Sequence, residues 1–331
     1  MAVRLNLYRI RPGYILRPRG KNLKAVYFAR CWLRNFVPSS VLERRKFRLL
    51  DGWESRADAE MIRERVDYCN KLMDAASLPA TAIHVRDIPN GHGVYNRDSF
   101  EILRYFDRSL SLVTQFGDNQ WVPEVPAICK SRPICENNQN AVLLNMDKVR
   151  HFTFLKDKVK FADKKDQAIF RGAVFQPRRV RFMEQFFGNP LVDCADTQPL
   201  SKALHPEWHR ELITLYDHLK YKFVVCLEGN DVASNLKWVM SSNSCAVMPR
   251  PTFETWFMEG RLVPGVHYIE IREDYSDLEE KIRYYSIHQN EAETIARNAN
   301  AWCAQFQDSE RELLISLLVM QKYFEKTGQR V

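Results

Sequence analysis

The chain has 331 residues, of which 45% are hydrophobic and 27% are charged, and its formal net charge is +8. This composition is typical of a globular protein with one large domain or two. No stretch approaches the ~18 apolar residues of a membrane span, and the N-terminus lacks the apolar core of a secretory signal, so we expect a cytoplasmic protein.

The positive charge is concentrated at the start of the chain. Residues 1–50 contain 13 Lys and Arg residues and one acidic residue, a net charge of 13 − 1 = +12, so the remaining residues sum to 8 − 12 = −4. Such a segment attracts nucleic acid, an anionic membrane surface or a phosphorylated glycolipid. Its interleaved aromatic residues favour a helix at a lipid interface, and a solvated basic face on a normally packed helix is the alternative. No nucleic-acid-binding motif is evident, so nucleic acid is not an expected partner.

The cysteines and histidines do not predict a metal site. Eight cysteines are scattered along the chain without a CxxC pair, which indicates buried free thiols. His205 and His209 are four residues apart, but the sequence HPEWH is not the HExxH pattern of a zinc helix.

The first half of the chain mixes helices and strands. Apolar spacing predicts helices over residues 23–36, 57–76 and 99–106 and strands over residues 80–85 and 109–116. Asp118 follows the second of these strands after Gly117, and α/β enzymes place reacting groups in loops beyond the carboxyl ends of strands; an ordinary Gly-Asp turn is the alternative. Lys130 and Arg132, in a proline-bounded stretch, are expected to be exposed near the same point.

The second half alternates strand and helix. Strands are predicted over residues 168–170, 190–194, 223–227, 245–248 and 268–271, and helices over residues 177–187, 232–241, 254–259 and 276–285. This order predicts a parallel, doubly wound sheet. A last helical region over residues 290–324 is expected to break near Asp308 and Ser309.

Two stretches of the second half are candidate anion sites. The strand at 223–227 leads through a turn at Gly229 into a predicted helix, with Asp231 as its N-cap and Lys237 further in. Such an arrangement can bind phosphate, and an ordinary βα unit without a ligand is the alternative. In the other stretch a short strand ends in a basic turn at Arg171 and Gly172, and three arginines, Arg178, Arg179 and Arg181, follow that turn. Guanidinium groups match phosphate oxygens, although a solvated helix start is the alternative.

Four segments together resemble glycosyltransferase family 90. They are FRGAVFQPRR (170–179), EGNDVASNLKWVMSSNS (228–244), ETWFMEG (254–260) and VHYIEIREDYSDLEEKI (266–282). The family includes protein O-glucosyltransferases, fungal capsule xylosyltransferases and bacterial lipopolysaccharide core transferases. The resemblance covers about residues 60–325, and the match to the bacterial branch is close.

The resemblance implies an α/β protein of the GT-B type, with two Rossmann-like domains facing across a cleft. The corresponding boundaries are a basic segment at 1–50, an acceptor-side domain at 51–165, a nucleotide-sugar-binding domain at 166–308, and a C-terminal helix at 309–331 that packs back on the first domain. No cofactor or metal is expected, since the chain contains no D-x-D motif.

The resemblance also implies an inverting reaction, in which a carboxylate takes the proton of the acceptor hydroxyl as UDP leaves. Asp118, before WVPEVP, is the position that fits the base, with Asp87 as second choice. Arg179 corresponds to the arginine that binds the diphosphate, and Arg171 belongs to the same motif. Asn235 stands where the eukaryotic branch has a second arginine, so Lys237 or Arg181 must contribute more. The remaining predicted donor-binding residues are Gly229, Asn230, Asp231 and Ser234.

The implied donor is a UDP-hexose, with glucose or galactose as the sugar, and the implied acceptor is the lipopolysaccharide inner core. Lys130 and Arg132 are then expected to contact acceptor phosphates, and the basic start of the chain to touch the inner face of the bacterial inner membrane. A non-catalytic glycolipid-binding protein on a transferase fold is the alternative, because the second arginine is replaced at Asn235.

Overall fold

A computed structural model of the protein describes residues 24–88, 93–198 and 204–331, so part of the predicted basic segment, 1–23, lies outside the described residues. The α-helices are α1 (Lys24–Leu33), α2 (Ser39–Leu50), α3 (Ala59–Cys69), α4 (Gly93–Leu103), α5 (Lys148–His151), α6 (Pro177–Phe186), α7 (Leu215–His218), α8 (Leu236–Met240), α9 (Leu278–Ile287), α10 (Gln289–Ala304) and α11 (Ser309–Lys326). Among these, no helix combines the length and the apolarity needed to cross a bilayer.

The strands have between two and eight residues. They are β1 (Ile83–His84), β2 (Ser111–Leu112), β3 (Thr114–Gln115), β4 (Ala127–Cys129), β5 (Ser131–Pro133), β6 (Ala141–Leu143), β7 (Lys165–Gly172), β8 (Val192–Asp196), β9 (Tyr221–Val225), β10 (Cys245–Met248), β11 (Phe253–Thr255) and β12 (Ile269–Glu270). We call the part from α1 to α5 the first half of the molecule and the part from β7 to α10 the second half.

The second half is built on a five-stranded parallel sheet with the order β12-β10-β9-β7-β8. Every residue of β9 and β10 is buried, as expected of parallel strands covered on both faces. The chain runs from β7 outward to β8 and then returns to β9 on the other side of β7. The strand order therefore reverses between β7 and β9, and such a switch point forms a crevice at the carboxyl ends of the strands. The predicted parallel α/β arrangement is confirmed.

The first half carries a smaller parallel sheet, with the order β3-β4-β6. The single strand predicted over residues 109–116 is wrong in detail. Its start, β2, pairs with β1, while its end, β3, pairs with β4 in the other sheet. Alternating apolar residues fit both pairings, so the spacing could not reveal the change of sheet at Val113.

A two-stranded antiparallel sheet connects the halves. β11, from the second half, pairs with β5, from the first. The helix predicted over residues 254–259 is therefore wrong. Glu254 on β11 forms a buried ion pair with Arg132 on β5, and the distance between Oε1 of Glu254 and Nε of Arg132 is 2.7 Å. A stretch this short has no decisive period, and its pairing partner lies far away in the sequence.

The last helix, α11, packs against α2, α3 and α4 of the first half. Glu312 on α11 accepts hydrogen bonds from Arg65 on α3, at 3.0 Å, and from the indole of Trp256, at 2.6 Å. The hydroxyl of Tyr323 donates to the carbonyl of Pro126 beside β4, at 3.0 Å. The predicted break before α11 is confirmed, because the Asp308 carboxylate accepts the free amides of its first turn.

Candidate active site

A cleft of about 720 Å³ lies between the two halves. This volume is within the range of ~300–1,000 Å³ common for ligand pockets. The first half contributes Lys24, Phe28, Tyr95, Asp147 and Arg150 to its wall, and the second half contributes Arg171, Thr197, Ser234, Asn235 and Trp238. Three predicted donor-binding residues, Arg171, Ser234 and Asn235, thus face the same space.

Asp118 lies beside this cleft. It follows β3 through Gly117, whose φ of +128° is a conformation that favours glycine. Its Oδ1 lies 2.6 Å from Lys130 Nζ, and it is 3.4 Å from the Tyr95 hydroxyl and 3.4 Å from Arg150 Nη2. Because Tyr95 and Arg150 both line the cleft, a ligand there would come close to this carboxylate.

The charge of Asp118 is set by its neighbours. Burial alone would raise its pKa, but Lys130 and Arg150 together more than offset this and hold the pKa of Asp118 below its ordinary value. The side chain is therefore a carboxylate at neutral pH and can accept a proton, as a general base must.

Arg150 and Asp147, which sequence reasoning missed, shape the same wall. Asp147 has the left-handed φ of +57°, which is strained for a residue with a side chain. Its Oδ2 lies 2.7 Å from the Nε of Arg150, which is half exposed. This pairing holds the Arg150 guanidinium at the cleft. No sequence pattern marked either residue, because both follow a short strand without a motif.

Lys130 occupies a different environment from the one expected. The prediction of an exposed side chain is wrong, because Lys130 is only 1% exposed. Its Nζ lies 2.6 Å from Asp118 Oδ1 and 2.5 Å from Asp231 Oδ2. The lysine thus joins the loop after β3 in the first half to the turn after β9 in the second.

Arg132 is also buried, at 0% exposure, and the prediction that it is exposed to an acceptor is wrong. Besides its ion pair with Glu254, it donates to the carbonyls of Tyr68, Cys69 and Ala141. An arginine so surrounded by protein acceptors is a structural link between β5, β11 and the end of α3.

The turn at Gly229 differs from its prediction. The helix after it begins only at Leu236 and has five residues, so Asp231 is not its N-cap. The Asp231 carboxylate faces Lys130 instead. Lys237 is fully buried beside Glu259, with an Nζ–Oε1 distance of 2.5 Å, and does not extend the turn's positive charge toward a ligand. The helix N-terminus proposed for this anion site is therefore absent at residues 231–235, which are all described.

Arg179 lies directly against the Gly229 turn. It donates to the carbonyls of Ala173, Leu227 and Glu228 at 3.1, 2.7 and 3.2 Å. A Cβ atom at Gly229 would lie 3.1 Å from Arg179 Nη2, so a larger residue there would crowd the guanidinium. Burial, with a smaller contribution from Arg178, lowers the pKa of Arg179 to about 10, and the group remains charged at neutral pH. The two predicted anion stretches meet at the switch point between β7 and β9.

The other predicted arginines have separate positions. Arg171 is largely buried and donates to the carbonyl and the carboxylate of Asp193 on β8, both at 2.7 Å. Arg181 donates to the carbonyl of Glu273 at 2.5 Å and lies over the ring of Tyr275. Arg171 therefore mainly joins two strands, whereas Arg181 borders a second cavity.

This second cavity, of about 120 Å³, lies at the carboxyl ends of β9 and β10. Its walls include Arg178, Arg181, Glu228, Val232, Arg250, Thr252 and Tyr275. Glu228 contacts Arg178 and accepts hydrogen bonds from the backbone and hydroxyl of Thr252 at 2.8 and 2.6 Å. The loop at 228–235 thus separates the small cavity from the large cleft. Arg178 is one of the three arginines of the predicted phosphate site, whereas sequence reasoning gave no role to Glu228, although it stands inside the motif at 228–244.

The second-choice base, Asp87, lies away from these features. Its carboxylate is largely exposed and sits 3.8 Å from its neighbour Arg86. Within the described part of the chain, it lines neither the cleft nor the small cavity. Of the two carboxylates, Asp118 is the one placed beside the cleft.

Comparison with known proteins identifies the family. Residues 139–325, more than half of the chain, match the model of Glycosyl transferase family 90. The chain belongs to this family. The matched region contains the whole five-stranded sheet, the Gly229 turn and Arg179.

Proteins with known names match the chain to different extents. The O-glucosyltransferase LpsA of Dichelobacter nodosus is 46% identical over 273 residues, covering 81% of this chain and 85% of that protein. Protein O-glucosyltransferase 3 of Homo sapiens is 27% identical over 175 residues, covering 51% of this chain and 34% of the human protein. Protein O-glucosyltransferase 2 of Danio rerio is 33% identical over 84 residues, or 25% of this chain and 17% of its own length. The protein is accordingly a glycosyltransferase.

Proposed function

We propose that the protein transfers a hexose from a UDP-sugar to a hydroxyl of the lipopolysaccharide inner core, with inversion at the anomeric carbon. The observation that carries this proposal is the Lys130 bridge. Its Nζ contacts Asp118 and Asp231, so the contacted oxygens of these carboxylates are at most 2.6 + 2.5 = 5.1 Å apart. The candidate base and the candidate donor turn are therefore neighbours, joined by one buried lysine.

In the proposed reaction, Asp118 takes the proton of the acceptor hydroxyl. The acceptor oxygen forms a bond to the anomeric carbon as the bond from that carbon to the diphosphate oxygen breaks. UDP leaves with the additional negative charge. Cationic groups fixed near the leaving oxygen stabilise that charge, and Arg179, held charged against the Gly229 turn, is the group we assign to this role.

We assign the donor to the region on both sides of the loop at 228–235. The small cavity alone, at about 120 Å³, is below the range of ~300–1,000 Å³ usual for ligand pockets. It therefore accepts only one part of the nucleotide sugar, and the cleft accepts the rest together with the acceptor. We infer an enzyme of the GT-B type from this division, and we assign Ser234 and Asn235, which line the cleft, to the sugar. The reaction as written uses no metal, and addition of a chelator is expected to leave the rate unchanged.

Arg150 replaces Lys130 and Arg132 as the cation proposed for an acceptor phosphate. It is half exposed at the cleft, whereas the other two are buried. The choice of a lipopolysaccharide acceptor is supported by the similarity to the LpsA protein of Dichelobacter nodosus over most of both chains. The sugar of the donor is glucose in this proposal, after the name of that relative, with galactose as the other candidate.

The test is release of UDP from UDP-glucose and UDP-galactose by the purified protein, with and without delipidated inner-core oligosaccharide. Asp118→Asn is expected to lower kcat by about 10²–10⁴-fold, the usual contribution of a general base. Asp87→Asn, the matched control, is expected to keep the rate of the unaltered protein. Full activity of Asp118→Asn would show that another group is the base.

A non-catalytic glycolipid-binding protein is the second candidate. Its supporting observation is Asn235, whose amide donates to the carbonyl of Val225 at 3.0 Å and supplies no positive charge where the resemblance implies a second arginine. This candidate predicts that oligosaccharide raises the Tm while no sugar nucleotide yields UDP.

A further inference from the structure

Helix α1 and the turn that follows it present their apolar side chains to solvent. Val26, Phe28, Trp32, Leu33 and Phe36 are between 38% and 65% exposed. At 100° per residue, these five positions fall on one side of a helix. The rings of Trp32 and Phe36 touch edge to face, with centroids 4.7 Å apart. We call the surface made by these five side chains the α1 surface.

The opposite, polar side of α1 attaches the helix to the protein. The Tyr27 hydroxyl donates to the Asp98 carboxylate at 2.8 Å, and Arg34, in the turn after α1, lies 2.9 Å from Glu101. Asp98 and Glu101 both belong to α4 in the first half. A surface helix of a globular protein normally turns its apolar side to the core and its polar side to water. In α1 this orientation is reversed, which indicates an apolar partner on the outer side.

The positive charge around the α1 surface indicates that this partner is anionic as well as apolar. Residues 24–50 contain seven Lys and Arg residues and one acidic residue, a net charge of 7 − 1 = +6. Lys24 and Arg30 are exposed on α1 itself, and Arg44 and Arg48 are exposed on α2. Aromatic and aliphatic anchors flanked by arginines are the features of a helix in the interface of an anionic bilayer.

We propose that the α1 surface docks on an anionic phospholipid bilayer, with Trp32, Leu33 and Phe36 inserted among the headgroups. A second copy of the chain would bring two strongly positive surfaces together, and this repulsion disfavours it as the occupant.

The α1 surface is next to the cleft. Lys24 and Phe28 belong both to α1 and to the cleft wall, where Asp147 and Arg150 also lie. A helix lying on the membrane would therefore place the opening beside the lipid surface. If the proposed function holds, on which this step rests, a lipid-linked acceptor reaches Asp118 without leaving the bilayer.

The test is flotation of the full-length protein with liposomes. Vesicles containing 30% phosphatidylglycerol are expected to bind the protein, those of pure phosphatidylcholine at least ~10-fold less, and added salt is expected to weaken binding. The variant Trp32→Ser/Phe36→Ser is expected to bind at least ~10-fold more weakly with an unchanged Tm. Ile287→Ser removes an exposed apolar side chain on α9 and, as the matched control, is expected to bind normally.

Transfer assays separate this inference from the proposed function. With delipidated oligosaccharide, the double variant is expected to keep the transfer rate of the unaltered protein. With acceptor embedded in vesicles, its transfer rate is expected to be at least ~10-fold lower. Unchanged vesicle binding by the double variant would overturn the inference. The inference would also be overturned if the unaltered protein sediments as a dimer and the double variant as a monomer, since a second copy of the chain would then cover the α1 surface. Absence of transfer by the unaltered protein, with vesicle binding intact, would count against the proposed function alone.

Discussion

Lys130 shows how one side chain can set the chemistry of a site. A buried ammonium group is unfavourable unless opposite charges surround it, and here two carboxylates do so, one from each half. The groups that face Asp118 are Lys130, Arg150 and the Tyr95 hydroxyl, with Asp231 beyond Lys130. Lys130 is therefore a positioning residue, which keeps the candidate base charged and close to the donor turn.

Replacement of Lys130 by methionine is expected to change the pH dependence of catalysis. An opposite charge at this distance lowers a carboxyl pKa by ~1–3 units, so its loss raises the pKa of Asp118 toward and above the ordinary value. The base is active only when ionised. The acid limb of the pH profile of kcat/KM should thus move to higher pH by about 1–3 units, and the loss of activity should be greater at pH 5 than at pH 8.

Lys222→Met provides the control for this measurement. Lys222 is also buried and paired, with its Nζ 2.5 Å from Asp166 Oδ1, but it lies on β9 at the end of the sheet away from the cleft. This variant is expected to keep the pH profile of the unaltered protein, whatever its effect on Tm. An unshifted acid limb in Lys130→Met would mean that Lys130 does not control the ionisation of Asp118.

At the level of elements, the β5–β11 pair depends on one buried ion pair. Arg132→Met leaves Glu254 charged, buried and without its main partner, and removal of one member of such a pair costs about 3–5 kcal/mol. The free energy of unfolding in urea is expected to fall by this amount. Arg283→Met, which removes an exposed pair with Glu279, should cost no more than about 1 kcal/mol. Equal losses in the two variants would contradict a special role for Arg132.

Sequence reasoning predicted the elements whose signals are local. Pro177 at a helix start, the buried run of β10 and the capping aspartate Asp308 each act on their immediate neighbours, and α6, β10 and α11 form where they were expected. The helix predicted over residues 232–241 begins only at Leu236, and Asp231, its expected cap, pairs with Lys130, about 100 positions away in the sequence. Apolar spacing contains no information about such a distant partner.

In the candidate site, too, sequence reasoning succeeded where the signal is local and failed where the contacts are distant in the sequence. Asp118 and Arg179 could be chosen because the resemblance assigns a role to each of their positions. The burial of Lys130 and Arg132 could not be foreseen, since a charged residue between prolines normally predicts an exposed loop. Their partners, Asp231 and Glu254, belong to the second half and meet them only through the tertiary fold.

Across the whole molecule, the way the buried apolar clusters extend over the two halves predicts that the halves unfold together. One buried cluster lies within the second half and includes Phe182 and Phe223. A larger cluster includes Ile128 of β4, Val224 of β9 and Phe324 of α11, and thus extends through both halves. Because the same sheet contributes to both clusters, loss of the smaller one should also destabilise the larger.

Phe182→Ala tests this coupling from a distance. Phe182 is fully buried on α6, and removal of such a ring costs about 3–5 kcal/mol. Hydrogen exchange of β9, in the second half, and of β4, in the first, is measured as a function of urea concentration. If the halves unfold as one unit, the midpoint, which is the urea concentration at which half of the amides exchange, falls by the same amount for both strands, since both report the same global opening. A midpoint for β4 that stays in place while that of β9 falls would show that the halves open separately, and the cleft could then widen without unfolding of the first half.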